Sequence, residues 1–214
     1  MIFSVVILFS ALHGVMPEWL FILYFQGVGM EKGKIIFLNG VSSSGKTTLA
    51  KSLQERLTEP LFWLAADTFI DMVPEKYNNP DKPGAMPVCL KAIAMTHHTI
   101  KFFSDMGVNV VVEHIFHYKE WVDECVELLH EYPILLVHVT CPIEELRRRE
   151  KERGNRDIGR AEIQLQRGYS LDTYDITVDT HNNSTEECAD KIIEMLDYPE
   201  KFTAFKTLWS QRPK

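Results

Sequence analysis

The chain has 214 residues, of which 45% are hydrophobic and 25% are charged. This length and balance indicate one folded domain with a sizeable core, and they exclude a disordered chain. The net charge of -7 excludes a global basic field, so we expect no nucleic-acid partner and only a local anion site. The four cysteines form no CxxC pair, which favours buried thiols in a reducing compartment and therefore a cytoplasmic protein.

The first 29 residues differ in character from the rest of the chain. They are apolar almost throughout, but Pro17 and Glu18 interrupt the run and leave it short of the ~20 residues that a membrane-spanning helix needs. Three interpretations stay open for residues 1–29: a non-native or wrongly assigned extension, a membrane-associating segment, or an accessory helix. Met30 precedes a charged "EKGK", and we assign the folded domain to residues 30–214.

From Met30 onward, short apolar or β-branched runs alternate with longer helical patterns, which predicts an α/β domain with a parallel sheet. The five predicted strands span residues 34–39, 61–65, 108–113, 134–140 and 175–180. The predicted helices span residues 46–58, 88–106, 117–131, 142–153, about 158–170, and 184–197. The segment 74–87 is rich in Pro, Asn and Gly, which predicts a long mobile loop.

The stretch "GVSSSGKT" follows the first predicted strand and precedes a predicted helix. It matches the phosphate-loop pattern G-x-x-x-x-G-K-[ST], in which glycines let backbone N–H groups point at phosphate oxygens and the helix dipole adds positive potential. Lys46 is expected to reach the β- and γ-phosphates, and the Thr47 hydroxyl to bind Mg²⁺. The predicted nucleotide-binding residues are Gly40, Val41, Ser42, Ser43, Ser44, Gly45, Lys46, Thr47 and Thr48.

Several classes of protein use such a loop, and other features of the chain distinguish them. A GTPase is expected to carry an N-K-x-D-like guanine reader, and the sequence has none. A motor ATPase is usually larger and has a strand ending in Asp-Glu, whereas the third predicted strand ends in Glu113-His114. Size and the features below therefore favour a small-molecule kinase.

Asp67 lies just beyond the second predicted strand, where residues of a parallel sheet face the ligand crevice. A carboxylate near the γ-phosphate can accept the proton of an acceptor hydroxyl and orient it for in-line attack. The alternative is that Asp67 is simply the N-cap of the helix that follows it.

A run of arginines follows the fourth predicted strand. Arg147, Arg148 and Arg149 share a helix with glutamates at i,i+4 spacing, which indicates ordinary solvated charge. Arg153 and Arg156 flank a Gly-Asn break and are predicted to lie on a mobile helical lid, where they stabilise the charge of phosphoryl transfer. Arg160 is a weaker candidate for the same lid.

Three segments together resemble the chloramphenicol phosphotransferase-like family of small P-loop kinases: "IIFLNGVSSSGKTTL", "AADTFIDMVPEKY" and "CPIEELRRREKERGNRDIG…YDITVDT". They run in collinear order over most of residues 34–180. The resemblance implies a P-loop kinase fold, with a five-stranded parallel sheet flanked by helices, and ATP–Mg²⁺ as phosphoryl donor. It also implies that Asp67 activates the acceptor hydroxyl and that Arg153 and Arg156 are lid residues.

The chain departs from the drug-modifying member of that family at two places. That member has two aspartates where this chain has Glu113-His114, and a histidine where this chain has Tyr169; both changes are expected near the acceptor. The leading hypothesis is thus an ATP-dependent phosphotransferase acting on a hydroxyl of a small molecule, with antibiotic resistance as one possible setting. The alternatives are a nucleotide or nucleoside kinase and a non-catalytic ATP-binding regulatory module; the oligomeric state is left open.

Overall fold

A computed structural model describes residues 31–154 and 158–212. Within them a single five-stranded parallel sheet has the order β2-β3-β1-β4-β5. The strands are β1 (Ile35–Asn39), β2 (Leu61–Ala65), β3 (Asn109–His114), β4 (Ile134–Thr140) and β5 (Ile176–Asp179). The predicted parallel sheet is confirmed, and each strand begins and ends within one residue of its predicted bounds.

Helices cover both faces of this sheet. In the described residues they are α1 (Lys46–Arg56), α2 (Asp67–Asp71), α3 (Met86–Asp105), α4 (Lys119–Leu129), α5 (Ile143–Arg153), α6 (Arg160–Arg167), α7 (Thr185–Leu196) and α8 (Ala204–Ser210). The six predicted helices are all present. The short α8 was not predicted, because seven residues carry too little periodicity to be distinguished from a loop.

The segment expected to be a long loop is shorter and more structured than predicted. It contains a 3-10 turn at Glu75–Tyr77, and α3 already begins at Met86. The Cys89 thiol donates a hydrogen bond to the Tyr77 carbonyl (3.1 Å), so the first turn of α3 is tied to this turn.

The core has two layers because successive side chains of a strand point to opposite faces of the sheet. On one face, Ile35 and Phe37 of β1 pack with residues of α3, α4 and α8. On the other face, Ile36 and Leu38 pack with residues of α1 and α7. All five residues of β1 are buried, which explains why the central strands read as continuous apolar runs.

Helix α7 begins at Thr185, one residue after its predicted start, and Ser184 is its N-cap. The Ser184 side chain accepts a hydrogen bond from the Glu187 amide, and the Glu187 carboxylate accepts one from the Ser184 amide. This reciprocal capping box satisfies two backbone donors that the helix itself leaves unpaired.

In the part of the chain that the structure describes, no helix is long and apolar enough to cross a membrane. The N-terminal segment 1–29 lies outside the described residues. All four cysteines are free thiols, and Cys89, Cys125 and Cys188 are buried, as expected from their spacing.

Candidate active site

A cleft of about 1290 Å³ lies at the carboxyl edge of the sheet, which is where open α/β folds bind ligands. The parallel register brings three strand ends together there. Asn39 at the end of β1 pairs with His114 at the end of β3, and Glu113 pairs in turn with Ala65 at the end of β2. The loop after β1 and helix α2 after β2 therefore face the same cleft.

The predicted phosphate loop connects β1 to α1, and its two glycines are required by geometry. A Cβ atom on Gly40 would lie 2.5 Å from the Val139 carbonyl oxygen and 2.9 Å from the Ser44 hydroxyl, so only glycine fits. Gly45 has φ of 96°, a left-handed conformation that glycine adopts without a steric cost. Together these residues curl the loop and begin α1 at Lys46.

Most of the predicted nucleotide-binding residues line the cleft, namely Ser42, Ser43, Gly45, Lys46, Thr47 and Thr48. The remaining three, Gly40, Val41 and Ser44, form the base of the loop, where Ser44 is fully buried. The Lys46 ammonium donates hydrogen bonds to the carbonyl oxygens of Gly40 (2.7 Å) and Val41 (2.8 Å). It therefore lies across the mouth of the loop, at the N-terminus of α1, where positive potential from the helix dipole adds to its charge.

Glu113 contacts this loop, a role that the sequence interpretation did not assign to it. The Thr47 hydroxyl donates a 2.8 Å hydrogen bond to the Glu113 carboxylate, which is only 9% exposed. This bond fixes the hydroxyl proton, so the oxygen lone pairs of Thr47 stay available toward the cleft. The sequence does show a glutamate at the end of this strand, but Glu113 is 66 residues from Thr47, so no local pattern predicted the contact.

Asp67 is the first residue of α2 and lines the cleft. The alternative that it is an N-cap is wrong: the N-cap is Ala66, and the helix has no side-chain cap. The Asp67 carboxylate is exposed, and its negative charge acts on the His117 ring. Burial and the Arg160 guanidinium lower the pKa of His117, while Asp67 opposes that shift. The carboxylate is thus exposed within the cleft.

The predicted lid corresponds to α5 and α6. Arg153 is the last residue of α5, Arg160 is the first residue of α6, and both line the cleft. Arg156 lies outside the described residues. A second residue that the sequence interpretation missed organises this region: the Glu150 carboxylate, 1% exposed, accepts hydrogen bonds from the amides of Gly159 (2.8 Å) and Ala161 (2.7 Å).

One side chain of α6 reaches the phosphate loop directly. The side-chain oxygen of Gln164 accepts a 2.6 Å hydrogen bond from the Ser42 amide. Gln164 is 6% exposed, and it presents to a loop amide the same kind of oxygen acceptor that a phosphate would present. Helix α6 and the loop are therefore in direct contact.

The prediction that Arg149 is ordinary solvated charge is wrong. Its guanidinium donates to the hydroxyl (3.0 Å) and carbonyl (2.8 Å) of Thr180 and to the Ser43 carbonyl (3.4 Å). The Thr180 hydroxyl donates in turn to the Ser44 carbonyl (2.8 Å). Arg149 thus connects α5 to the end of β5 and to the phosphate loop. Helical periodicity alone does not predict these contacts.

The predicted pairing of Arg149 with Glu145 is present at 2.7 Å. Arg148 is solvated as expected and pairs with Glu145 and Glu152. Hydrogen bonds from Arg148 and Arg149 lower the pKa of Glu145 to about 2. Arg147 pairs with Glu162 at 2.8 Å and so links α5 to α6 at the surface.

Comparisons with known proteins match most of this chain. A family model described as chloramphenicol phosphotransferase-like protein matches residues 33–197. A Mycobacterium tuberculosis (strain H37Rv) protein provisionally named as an O-phosphotransferase is 28% identical over 204 residues, which cover 83% of this chain and 90% of that protein.

Solved structures share the fold. A sugar kinase from Janibacter sp. HTCC2649 superposes with a TM-score of 0.63 at 20% identity, covering 79% of this chain and 98% of its own. The adenylyl-sulfate kinase of Mycobacterium tuberculosis, solved with AMPPNP and APS, superposes with a TM-score of 0.60 at 18% identity, covering 78% and 98%. The fold is therefore that of the P-loop kinases.

Proposed function

The chain belongs to the chloramphenicol phosphotransferase-like family and is a phosphotransferase of the P-loop kinase type, and from this premise we propose that it transfers the γ-phosphate of ATP to a hydroxyl of a small molecule. One observation carries the proposal: a single cleft contains the phosphate loop, the exposed carboxylate of Asp67 and the arginines of the predicted lid. Donor, acceptor and charge-stabilising groups can therefore meet in one place.

The loop fits the phosphates of ATP. It curls at Gly40 and Gly45 and leads into α1 at Lys46, where the first N–H groups of the helix have no intrahelical acceptor and Lys46 adds a cation. ATP phosphates would be held by these N–H groups and by the Lys46 ammonium, because both favour negative charge.

The residues also fit a magnesium ion that arrives with the nucleotide. Thr47 offers a hydroxyl oxygen whose proton is already directed to Glu113 (2.8 Å), and Mg²⁺ prefers oxygen ligands. Among residues 31–154 and 158–212, no group of three or more His, Cys, Asp or Glu side chains could hold a metal ion. Thr47 would therefore hold the ion together with the phosphates, and the ion would neutralise part of their charge.

The acceptor side follows from Asp67. The acceptor oxygen attacks the γ-phosphorus, the bond to the β,γ-bridging oxygen breaks with ADP as leaving group, and the hydroxyl proton passes to the Asp67 carboxylate. Arg153 lines the same cleft and would stabilise the charge of the transferring group, with Arg156 in the same predicted role.

The test is a panel of hydroxylated acceptors, including chloramphenicol and nucleosides, with ATP and Mg²⁺ and with product phosphorylation measured by mass. We expect acceptor-dependent ADP release in the wild type. Phosphorylation of nucleosides or nucleotides alone would indicate the nucleoside kinase alternative. ATP binding without stimulation by any acceptor would indicate a regulatory module.

Two variants assign the roles within that assay. Lys46→Ala is expected to abolish turnover, and Asp67→Asn is expected to keep ATP binding while lowering the rate. Asp71→Asn is the matched control, because Asp71 ends the same helix and lines the same cleft. Undiminished turnover in Asp67→Asn would remove Asp67 from the mechanism.

A further inference from the structure

Two buried histidines connect the cleft to a second, shallow depression on the outer surface. His114, at the end of β3, lines the cleft and is 1% exposed. Its Nε2 lies 3.1 Å from Nε2 of His97, a fully buried residue of α3. Nδ1 of His97 contacts the carboxylate of Glu124 on α4, which is 38% exposed and lines the outer depression.

The two imidazoles are enclosed by aromatic rings. The His114 ring centroid lies 4.7 Å from that of Phe116, 5.4 Å from that of Phe37 and 6.5 Å from that of Trp121. Burial holds the pKa of His114 well below its ordinary value. The His114 ring is therefore neutral, and only one of its two nitrogens carries a proton.

At a pH at which each ring carries one proton, the Glu124 carboxylate fixes the direction of every hydrogen bond between Glu124 and His114. A carboxylate only accepts, so His97 donates from Nδ1 and must accept at Nε2. His114 then donates from Nε2, which leaves a lone pair on its Nδ1. That nitrogen is buried and makes no direct hydrogen bond in the part of the chain that the structure describes. The Ile115 backbone favours a protonated ring and competes with this arrangement, so the tautomer of His114 depends on Glu124 through His97.

The two residues at the tip of β3, Glu113 and His114, contact both the phosphate loop and the segment that precedes Asp67. The His114 carbonyl accepts from the Gly40 amide (3.3 Å), and the Glu113 carbonyl accepts from the Ala66 amide (2.8 Å). The Glu113 carboxylate also binds the Thr47 hydroxyl. A displacement of this tip therefore moves the phosphate loop and the residue that precedes Asp67 together.

We propose that Glu124 and His97 are positioning residues of the active site: they fix the tautomer and ring orientation of His114, and through it the tip of β3. Buried histidines fixed by a carboxylate are a general way to set which nitrogen donates. A side chain on the outer surface thereby controls the geometry of a cleft that it does not touch. The effect on turnover rests on the proposed phosphotransfer, whereas the tautomer assignment does not.

The first test reads the tautomers directly by ¹⁵N NMR of histidine-labelled protein. At a pH at which each ring carries one proton, wild-type His97 is expected to be protonated on Nδ1 and His114 on Nε2. In Glu124→Gln, the amide can donate as well as accept, so both rings are expected to show mixed or reversed tautomers. Glu120→Gln, one turn earlier on α4 and lining the same depression, is the matched control and is expected to retain the wild-type spectrum. Identical tautomers in Glu124→Gln and wild type would overturn the proposal.

The second test measures turnover with an acceptor from the panel. Glu124→Gln is expected to lower kcat about tenfold while KM for ATP changes less than about twofold, because a displacement of ~1 Å in an active site costs up to ~100-fold in rate. Glu120→Gln is expected to leave both constants unchanged. Reversed tautomers with unchanged kcat would refute the positioning role. A wild type without turnover on any acceptor would refute the proposed function instead, and the NMR test would still decide the tautomer assignment.

Discussion

Removal of the Glu150 carboxylate is expected to release the first turn of α6. Glu150 is 1% exposed and accepts from the amides of Gly159 at 2.8 Å and Ala161 at 2.7 Å. These amides stand at the N-terminus of α6 and have no intrahelical acceptor. The carboxylate also brings negative charge to the positive end of the helix dipole.

The size of the effect follows from the two hydrogen bonds. A hydrogen bond to a charged group contributes about 1.5–3 kcal/mol, so two contribute about 3–6 kcal/mol. We take the lower end for Glu150→Ala, because water can enter the space that the side chain leaves. About 3 kcal/mol corresponds to roughly a 100-fold increase in the population of the opened first turn. Glu150→Gln retains one oxygen acceptor and is expected to lose about half of this free energy.

Amide hydrogen exchange over residues 159–167 measures this opening, and α7 provides the internal reference. Glu152→Ala is the matched control variant, since Glu152 lies on the same helix and its contact among the described residues is a surface ion pair with Arg148. Glu150→Ala should lower turnover more than it lowers ATP affinity, because Arg160 lies on the turn that is released and lines the cleft. Equal exchange over α6 in the Glu150→Ala and Glu152→Ala variants would refute the reasoning.

Three further predictions concern the loop, the core and a cap. Gln164→Glu places a negative charge 2.6 Å from the Ser42 amide, in the loop that is proposed to hold the phosphates. Calorimetry should therefore show an ATP affinity about tenfold lower, whereas Gln166→Glu on the exposed side of α6 should leave the ATP affinity unchanged. Phe116→Ala removes a ring that is 1% exposed and should lower the free energy of unfolding in urea by about 3–5 kcal/mol; a loss below about 1 kcal/mol would contradict its place in the core. Ser184→Ala removes one half of a capping box and should cost about 1 kcal/mol, visible as a lower Tm, while Ser184→Asp should preserve it.

The sequence alone was sufficient for the sheet and for the phosphate loop. The central strands were predictable because a strand buried on both faces needs apolar side chains at successive positions, as in residues 35–38 of β1. The loop was predictable because its chemistry is local. Gly40 and Gly45 meet steric requirements set by their immediate surroundings, and Lys46 and Thr47 follow at once on the same helix.

Contacts between distant segments were not predictable in this way. Arg149 has the sequence environment of a solvated helix, yet it binds the phosphate loop and Thr180. Asp67 was read as either a cap or a cleft residue, and only the position of Ala66 at the cap excluded the first alternative.

The amino-acid sequence by itself thus determined the α/β order of elements, the phosphate loop and the family, because each depends on periodicity or on residues close together in the chain. Only the tertiary structure decided which side chains reach the loop. Glu113 is 66 residues from Thr47, and Gln164 is 122 residues from Ser42. Their partners are set by strand order and by the packing of α6, which bring together positions that no local pattern relates.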